Sequence, residues 1–219
     1  MRIWDLPTRV FHWSLAACVV FSIASAQIGG NAMVWHFRSG YLIFSLLAFR
    51  IGWGLLGGHW SRFASFVFSP ATVWRYLRSK GESQAGLDVG HSPLGALSVF
   101  AVLGLLAAQV ATGLFADDEI ANTGPLIKFV SSATSLALTK WHKNYGQWII
   151  IALLVLHVAA ITYYVLIKKR DLLRAMVGGD KVLSASTPAS ADTAASRLTA
   201  LVVFAACAAG VAWLANLGG

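Results

Sequence analysis

Five apolar runs constrain this chain more than any other feature. Each is long enough to cross the hydrocarbon core of a bilayer as a helix, which takes about 20 residues. Lipid offers the backbone no hydrogen-bond partners, so each run must form a helix rather than an isolated strand. The runs cover residues 10–28, 37–57, 94–116, 146–167 and 197–217. The sequence therefore predicts an all-α integral membrane protein, a four-helix transmembrane bundle with an additional fifth C-terminal transmembrane helix.

The spacing of the runs also predicts the domain organisation. Residues 1–183 contain the first four spans and form one membrane domain. Residues 184–196 are rich in Ser, Ala and Thr, a composition typical of a flexible tether. Residues 197–219 form the fifth transmembrane helix, and small residues four apart at Ala205 and Ala209 favour a role in helix packing.

The basic residues predict the orientation. The formal net charge is +8, but the Lys and Arg residues lie at the ends of apolar runs rather than on a solvent-facing patch, which argues against nucleic-acid binding. With the N-terminus in the cytoplasm and the C-terminus in the periplasm, twelve of them lie inside and three outside, as the positive-inside rule requires. The inner set is Arg2, Arg9, Arg62, Arg75, Arg78, Lys80, Lys168, Lys169, Arg170, Arg174, Lys181 and Arg197, and the outer set is Lys128, Lys140 and Lys143. We expect a multi-pass membrane protein with this orientation.

A cleaved secretory signal is a competing interpretation of the N-terminus. Two arginines, an apolar run and the small residues 24–26 resemble such a signal. Trp4, Asp5, Pro7 and His12 do not fit its charged and apolar regions. We therefore interpret the first run as a permanent span.

Four histidines are the candidate functional residues, because an ionisable side chain within a spanning helix is costly. His12 lies near the inner end of the first span, His36 at the outer start of the second, His142 just outside the fourth and His157 deep within it. His142 and His157 are 15 residues apart, which is about 22 Å of rise and about 60° of rotation in an α-helix. Matching depths pair His36 with His142 and His12 with His157.

Two imidazole pairs at two depths favour two haem groups. A haem iron with two nitrogen ligands is suited to electron transfer, whereas four histidines at two depths cannot form one tetrahedral zinc site. The C-x-x-C-H motif of covalently attached haem is absent, and Cys18 and Cys207 lie inside apolar runs. The cofactors should therefore be two haem b groups, held by ligation and packing.

The alternatives for these histidines do not involve iron. His36 and His142, each next to a Trp, could be headgroup anchors. His157 could be a core histidine bonded to a carbonyl group. A permease or membrane scaffold that uses the histidines as proton relays is the corresponding non-redox function.

A repeated pattern supports the outer pair. Residues 35–40 and 141–146 both read W-H-x-x-x-G, and a glycine four residues from a histidine lies on the same helix face. Gly40 and Gly146 should therefore leave room for the edge of a macrocycle. Haem propionates are anionic, so Arg38 near the outer pair and Arg50 towards the inner side are candidates to bind them.

The connections carry further candidates. His91 precedes Ser92 and Pro93, which should be the N-cap and first residue of a helix, and it could bind a quinone head group. Residues 66–77 should lie along the membrane, with Trp74 and Tyr76 at the headgroup level, or form a plain surface helix.

The sequence resembles the bacterial cytochrome b561 and nickel-iron hydrogenase b-type cytochrome family over about residues 3–177. The resemblance rests on residues 4–13 (WDLPTRVFHW), on 36–41 (HFRSGY) with Arg50, and on His142 with 156–160 (LHVAA). It implies a four-helix core with two b haems ligated from the first, second and fourth helices, and exchange of electrons with a quinone pool.

These observations lead to a functional hypothesis with two alternatives. The protein is expected to be an electron-transport subunit of a respiratory chain that links quinone to a periplasmic redox protein, either a c-type cytochrome or a hydrogenase. The connection 117–141, with three acids at 117–119, is the expected docking surface. The alternatives are a partner-independent enzyme that oxidises a small species such as superoxide and reduces quinone, and the non-redox permease or scaffold.

Overall fold

The computed structural model describes residues 1–78, 89–183 and 187–218. Within these ranges all regular structure is helical, apart from two isolated bridges, Arg2 with Asp180 and Asp117 with Thr123. The α-helices are α1 (Leu6–Ile28), α2 (Met33–Leu56), α3 (Pro70–Arg78), α4 (Pro93–Leu114), α5 (Ser132–Trp141), α6 (Gln147–Leu166), α7 (Leu172–Gly178) and α8 (Ala194–Ala215). The predicted all-α class is confirmed. Lys80 and residues 184–186, which the sequence analysis placed in a cytoplasmic connection and a tether, lie outside the described ranges.

Five helical segments of the described chain are long and apolar enough to cross a membrane. They are Leu6–Ile28, Gly30–Leu56, Pro93–Leu114, Ser132–Leu166 and Ala194–Gly218. They correspond to the five predicted runs, and the protein is an integral membrane protein.

The fourth span differs from its prediction. The helical segment that contains it begins at Ser132 rather than at 146, so residues 132–141 of the predicted outer connection form helix α5. Ser131 caps the new N-terminus by accepting the Thr134 amide at 3.2 Å, which satisfies one of the free amides of the first turn. His142 therefore lies within the helical span rather than just outside it.

A π turn, His142–Gly146, joins α5 to α6. Its Gln147 amide donates to the His142 carbonyl, one residue further along than in an α-helix. Such turns are rare and often lie at functional sites. The predicted 60° rotation from His142 assumed a regular α-helix, so it does not hold across these five residues.

Helix α1 begins at Leu6 rather than at residue 10 because Asp5 caps it. The Asp5 carboxylate accepts the Thr8 amide at 2.9 Å and is itself fully buried. It also accepts hydrogen bonds from the Ser61 hydroxyl at 2.8 Å, the Gly58 amide at 3.1 Å and the Trp53 indole at 3.2 Å. One carboxylate thereby joins the start of α1 to the end of α2 and the turn that follows.

The described chain divides into two compact units. The first contains Met1–Val10, Arg50–Ala101 and His157–Leu201, and the second contains Phe11–Phe49, Val102–Leu156 and Val202–Gly219. Each unit draws on three separate stretches of the chain.

In the first unit the N-terminal residues pair with the residues after α7. The Ile3 and Trp4 amides donate to the Gly179 carbonyl at 2.9 and 3.1 Å. Gly179 ends α7 with a φ of 90°, a left-handed conformation that favours glycine. Ile3 and Trp4 then pack against Val89 and Ala175 in a small apolar core.

The residues after 186 are held by specific contacts, although the sequence predicted a flexible tether over 184–196. The Ser190 amide donates to the Arg2 carbonyl at 2.9 Å, and the Pro188 carbonyl accepts the Trp60 indole N–H at 2.8 Å. Asp192 forms ion pairs with Arg197 at 2.9 Å and Arg2 at 2.6 Å. The hydrogen bond from Arg197 is the main cause that lowers the pKa of Asp192 to about 2.

Helix α3 confirms that a helix lies within residues 66–77, but its two aromatic residues differ. Trp74 is 57% exposed, whereas Tyr76 is fully buried, so the predicted headgroup position is wrong for Tyr76.

The predicted cap of α4 is confirmed, because the Ser92 hydroxyl accepts the Gly95 amide at 3.2 Å.

Candidate functional site

A cavity of about 890 Å³ lies in the second unit. Pockets for cofactor-sized ligands are about 300–1,000 Å³, so one cofactor could fit. Its walls come from α1, α2, α4 and the fourth span, with apolar side chains such as Val19, Ile43 and Leu106. His36 and His142 both line it.

His36 is oriented by α1. Its Nδ1 lies 2.9 Å from the Ser22 carbonyl oxygen and 3.1 Å from the Ser22 hydroxyl. A carbonyl oxygen can only accept, so Nδ1 carries the proton and donates it. The other ring nitrogen, Nε2, then keeps its lone pair for a metal, the arrangement that supports most ligating histidines.

His142 is oriented in the same way by α4. Its Nδ1 donates to the Gln109 carbonyl at 2.9 Å and lies 3.2 Å from the Thr112 hydroxyl. Thr112 in turn donates its own proton to the Ala108 or Gln109 carbonyl. Nε2 of His142 is therefore also the nitrogen with a free lone pair.

The distance between the two rings fits one metal ion with two axial ligands. Their centroids are 6.0 Å apart and their planes are 89° apart. Two imidazoles on opposite sides of one metal have centroids about 6.4 Å apart, since each bond is about 2.0–2.1 Å and a ring centre lies about 1.2 Å beyond its nitrogen. Among the described residues there is no group of three or more His, Cys, Asp or Glu that could hold a metal ion.

The glycines around the cavity have different roles. Gly40 lines the cavity, and a Cβ added there would meet nothing within 4 Å; that it leaves room for a macrocycle edge stays a prediction. A Cβ at Gly146 would collide with the Gln109 and Trp141 side chains, so this glycine makes room for protein. Gly113 contacts the His142 ring, and a Cβ there would lie 3.0 Å from its Cε1.

The predicted inner pair is divided between the two units. His12 belongs to the second unit and His157 to the first, and both side chains are partly buried. Their pairing around a second cofactor stays a prediction.

The predicted propionate ligands also have different environments. Arg38 is exposed, stacks over Trp35 at 4.9 Å and does not line the cavity. Lys143 does line it. Arg50 is 3% exposed in the first unit, and its guanidinium lies 4.5 Å from the centre of the Phe63 ring.

The acids after α4 are not all available to a partner. The Asp118 carboxylate accepts the Ile120, Ala121 and Asn122 amides at 2.8–3.0 Å and the Asn122 side chain at 2.6 Å. These hydrogen bonds, the side-chain one above all, hold the pKa of Asp118 well below its usual range. This acid therefore serves mainly to shape the connection, while Glu119 is exposed.

Comparison with known protein families shows which family the chain belongs to. The model of the family described as prokaryotic cytochrome b561 matches residues 3–179. The chain belongs to the prokaryotic cytochrome b561 family. It is therefore a membrane b-type cytochrome that takes part in electron transfer and binds haem b, and the resemblance predicted from the sequence is confirmed.

Several proteins with similar sequences are named as cytochrome subunits of hydrogenases. The chain is 24% identical to the probable Ni/Fe-hydrogenase B-type cytochrome subunit of Azotobacter chroococcum mcd 1, over 85% of this chain and 90% of that protein. It is 25% identical to the corresponding protein of Azotobacter vinelandii, again over 85% of this chain and 90% of that protein. It is 23% identical to the probable Ni/Fe-hydrogenase 1 B-type cytochrome subunit of Escherichia coli (strain K12), over 71% of this chain and 80% of that protein. No solved structure matches the chain significantly.

Sequence reasoning missed the residues that orient the two histidines in this cytochrome. They are Ser22, Gln109, Thr112 and Gly113. A signal was present, because Ser22, Gln109 and Thr112 are polar residues inside apolar helices, where such residues usually hydrogen-bond to a neighbouring helix. What the sequence did not show is which histidine each of them contacts.

Proposed function

We propose that this cytochrome carries two haem b groups and transfers electrons between the quinone pool and a redox protein on the periplasmic side, either a hydrogenase or a c-type cytochrome. The hydrogenase cytochrome subunits among its relatives support a partner of this kind. The spacing and hydrogen bonding of His36 and His142 carry the proposal. His12 and His157 are proposed to ligate the second haem.

The hydrogen bonds of the outer histidines suit them for ligation. The carbonyl groups of Ser22 and Gln109 fix the protonated nitrogen of each ring, and this hydrogen bond also raises the basicity of the nitrogen that binds the metal. A haem iron held by two imidazoles supplies one-electron transfer. With His36 and His142 as its two protein ligands, such a group would favour electron transfer over binding of a small ligand.

Propionate binding at the outer site is assigned to Lys143. It lines the same cavity as the two histidines, while Arg38 stacks on Trp35 outside it. A lysine ammonium can offset a carboxylate by a charge-assisted hydrogen bond. Arg50 remains a candidate for the inner haem because it is buried and carries its charge among aromatic rings.

The proposed orientation places the N-terminus, α3 and α7 on the cytoplasmic side. These segments contain many of the chain's arginines, and short cytoplasmic connections are rich in such residues. The connection after α4, whose Asp118 and Asn122 line the cavity, would then lie on the periplasmic side of a bacterial inner membrane. Electrons would pass between quinone and a partner docked at this connection.

Anaerobic stopped-flow mixing tests the function. The purified protein in detergent is mixed with a reduced quinone, with reduced c-type cytochrome or with hydrogenase under hydrogen, and the Soret band is followed. Reduction by quinol together with exchange with one protein partner is expected. Replacement of His157 by Ala should slow exchange with quinol, whereas His59→Ala should not, because His59 lies in a turn after α2 and is not a proposed ligand.

Two outcomes would contradict the proposal. In the first, neither quinol nor any protein partner changes the redox state of the haems. In the second, the protein reduces quinone with superoxide as electron donor and needs no partner, which would support the self-contained oxidase instead.

A further inference from the structure

The π turn of the fourth span contains a hydrogen-bond arrangement that the repeated W-H-x-x-x-G pattern does not explain. The His142 carbonyl accepts two donors, the Gln147 amide within the turn and the Gln109 side-chain amide from α4 at 3.0 Å. The backbone carbonyl of the same Gln109 accepts the His142 ring at 2.9 Å. One residue of α4 therefore holds both the main chain and the ring of His142.

Gly146 makes this arrangement sterically possible. The Gln109 Oε1 atom is buried and accepts no hydrogen bond from the described part of the chain. A Cβ at Gly146 would collide with that oxygen and with the Trp141 ring. Any side chain at 146 would displace the Gln109 amide.

The two glycines of the repeated W-H-x-x-x-G pattern thus differ in function. Gly40 borders open cavity, whereas Gly146 borders Gln109. We infer that Gln109 and Gly146 together form a positioning device for His142, which fixes its ring plane nearly perpendicular to that of His36. Gln109 is a positioning residue, because it acts through His142 and is not itself a ligand. The inference rests on the proposal that His36 and His142 ligate one haem.

The angle between the ligand planes gives the device a spectroscopic signature. Axial imidazoles in perpendicular planes give a low-spin ferric haem a highly anisotropic electron paramagnetic resonance (EPR) signal, and parallel planes give a more rhombic one. The observed angle is 89°. The outer haem of the wild type should therefore show the anisotropic signal.

The test uses Gln109→Met, Gly146→Ala and the double variant in the purified, haem-loaded protein. Met keeps the length of Gln but cannot donate a hydrogen bond. Gly104→Ala is the matched control, since Gly104 is an exposed residue of α4 where a Cβ would meet nothing within 4 Å. Haem content per protein, the EPR spectrum and both midpoint potentials are measured.

We expect Gln109→Met and Gly146→Ala to keep the haem content. Both should shift the anisotropic EPR signal in the same direction, and the control Gly104→Ala should leave that signal unchanged. The double variant should match a single one, because both changes break the same contact. Unchanged spectra in Gln109→Met at full haem content would overturn the positioning role alone. Failure of the ligation proposal has a different result: His36→Ala would then keep every haem.

Discussion

The buried carboxylate of Asp5 should contribute far more to stability than an ordinary helix cap, and α7 supplies the matched comparison. Asp171 caps α7 by accepting the Arg174 amide at 3.3 Å and is exposed. Asp5 caps α1 in the same way but also accepts three buried donors. Replacing each aspartate by Ala removes one cap from each helix, so the difference between the variants reports mainly on the buried surroundings of Asp5.

The expected magnitudes follow from the number of donors. Loss of an aspartate cap costs about 0.5–2 kcal/mol, and Asp171→Ala adds to this only an exposed ion pair with Arg174. In Asp5→Ala the Trp53 indole and the Gly58 amide each lose an acceptor, at about 1–3 kcal/mol per buried group, while the Ser61 hydroxyl still has the Thr8 hydroxyl as a partner. We therefore expect Asp5→Ala to cost at least about 2 kcal/mol more than Asp171→Ala. For a chain of this size that corresponds to about 4–8 °C in melting temperature.

The assay is thermal unfolding of the two purified variants and the wild type in the same detergent, followed by the Soret band and by circular dichroism. Asp5→Asn adds a test of charge, since an amide keeps the shape but turns one acceptor into a donor. It should fall between wild type and Asp5→Ala. If Asp5→Ala and Asp171→Ala melted within about 2 °C of each other, a difference worth less than about 1 kcal/mol, the argument from buried donors would be refuted.

Three further outcomes are expected. Lys143→Gln should lower the midpoint potential of one haem by roughly 10–40 mV in a redox titration. A surface charge pair is worth about 0.2–1 kcal/mol, and a tenfold change in a one-electron equilibrium corresponds to about 59 mV. Two unchanged potentials would contradict the propionate assignment. The pKa of Asp192 is lowered to about 2, so the contribution of its ion pairs is present above about pH 4 and is lost as the pH falls towards 2. Hydrogen exchange should show protection factors for residues 187–193 falling over that range, and constant protection would refute this. Gly113→Ala should shift the His142 ring by a few tenths of an ångström and alter the spectrum of one haem, whereas identical spectra would show that the ring does not need this space.

The sequence was most informative about features that depend on local composition. All five spans could be predicted because about 20 consecutive apolar residues have few other stable structures than a membrane helix. The approach of His36 to His142 could also be predicted, because the depth of a residue in the membrane follows from its position along a span. The cap at Ser92 followed from the Ser-Pro pair alone.

Features that depend on distant partners could not be predicted. The start of the fourth span was missed because residues 131–141 contain several Ser, Thr and Lys residues that are typical of a connection. The π turn was missed because it differs from an α-helix by a one-residue shift of hydrogen bonds, to which residue propensities are insensitive. The contacts of residues 187–193 depend on N-terminal residues more than 180 positions away, such as Arg2 for Ser190. The same holds for Asp5, whose partners at 53–61 lie about 50 residues along the chain.

The count of haems in His36→Ala tests the central claim most directly. Pyridine haemochrome analysis and a reduced-minus-oxidised spectrum are recorded for the wild type, for His36→Ala and for His59→Ala. We predict two haems in the wild type and the His59 variant, and one in His36→Ala, with the signal of the second haem retained. Two haems with unaltered spectra in His36→Ala would show that this imidazole does not bind iron, and the proposed outer site would be wrong.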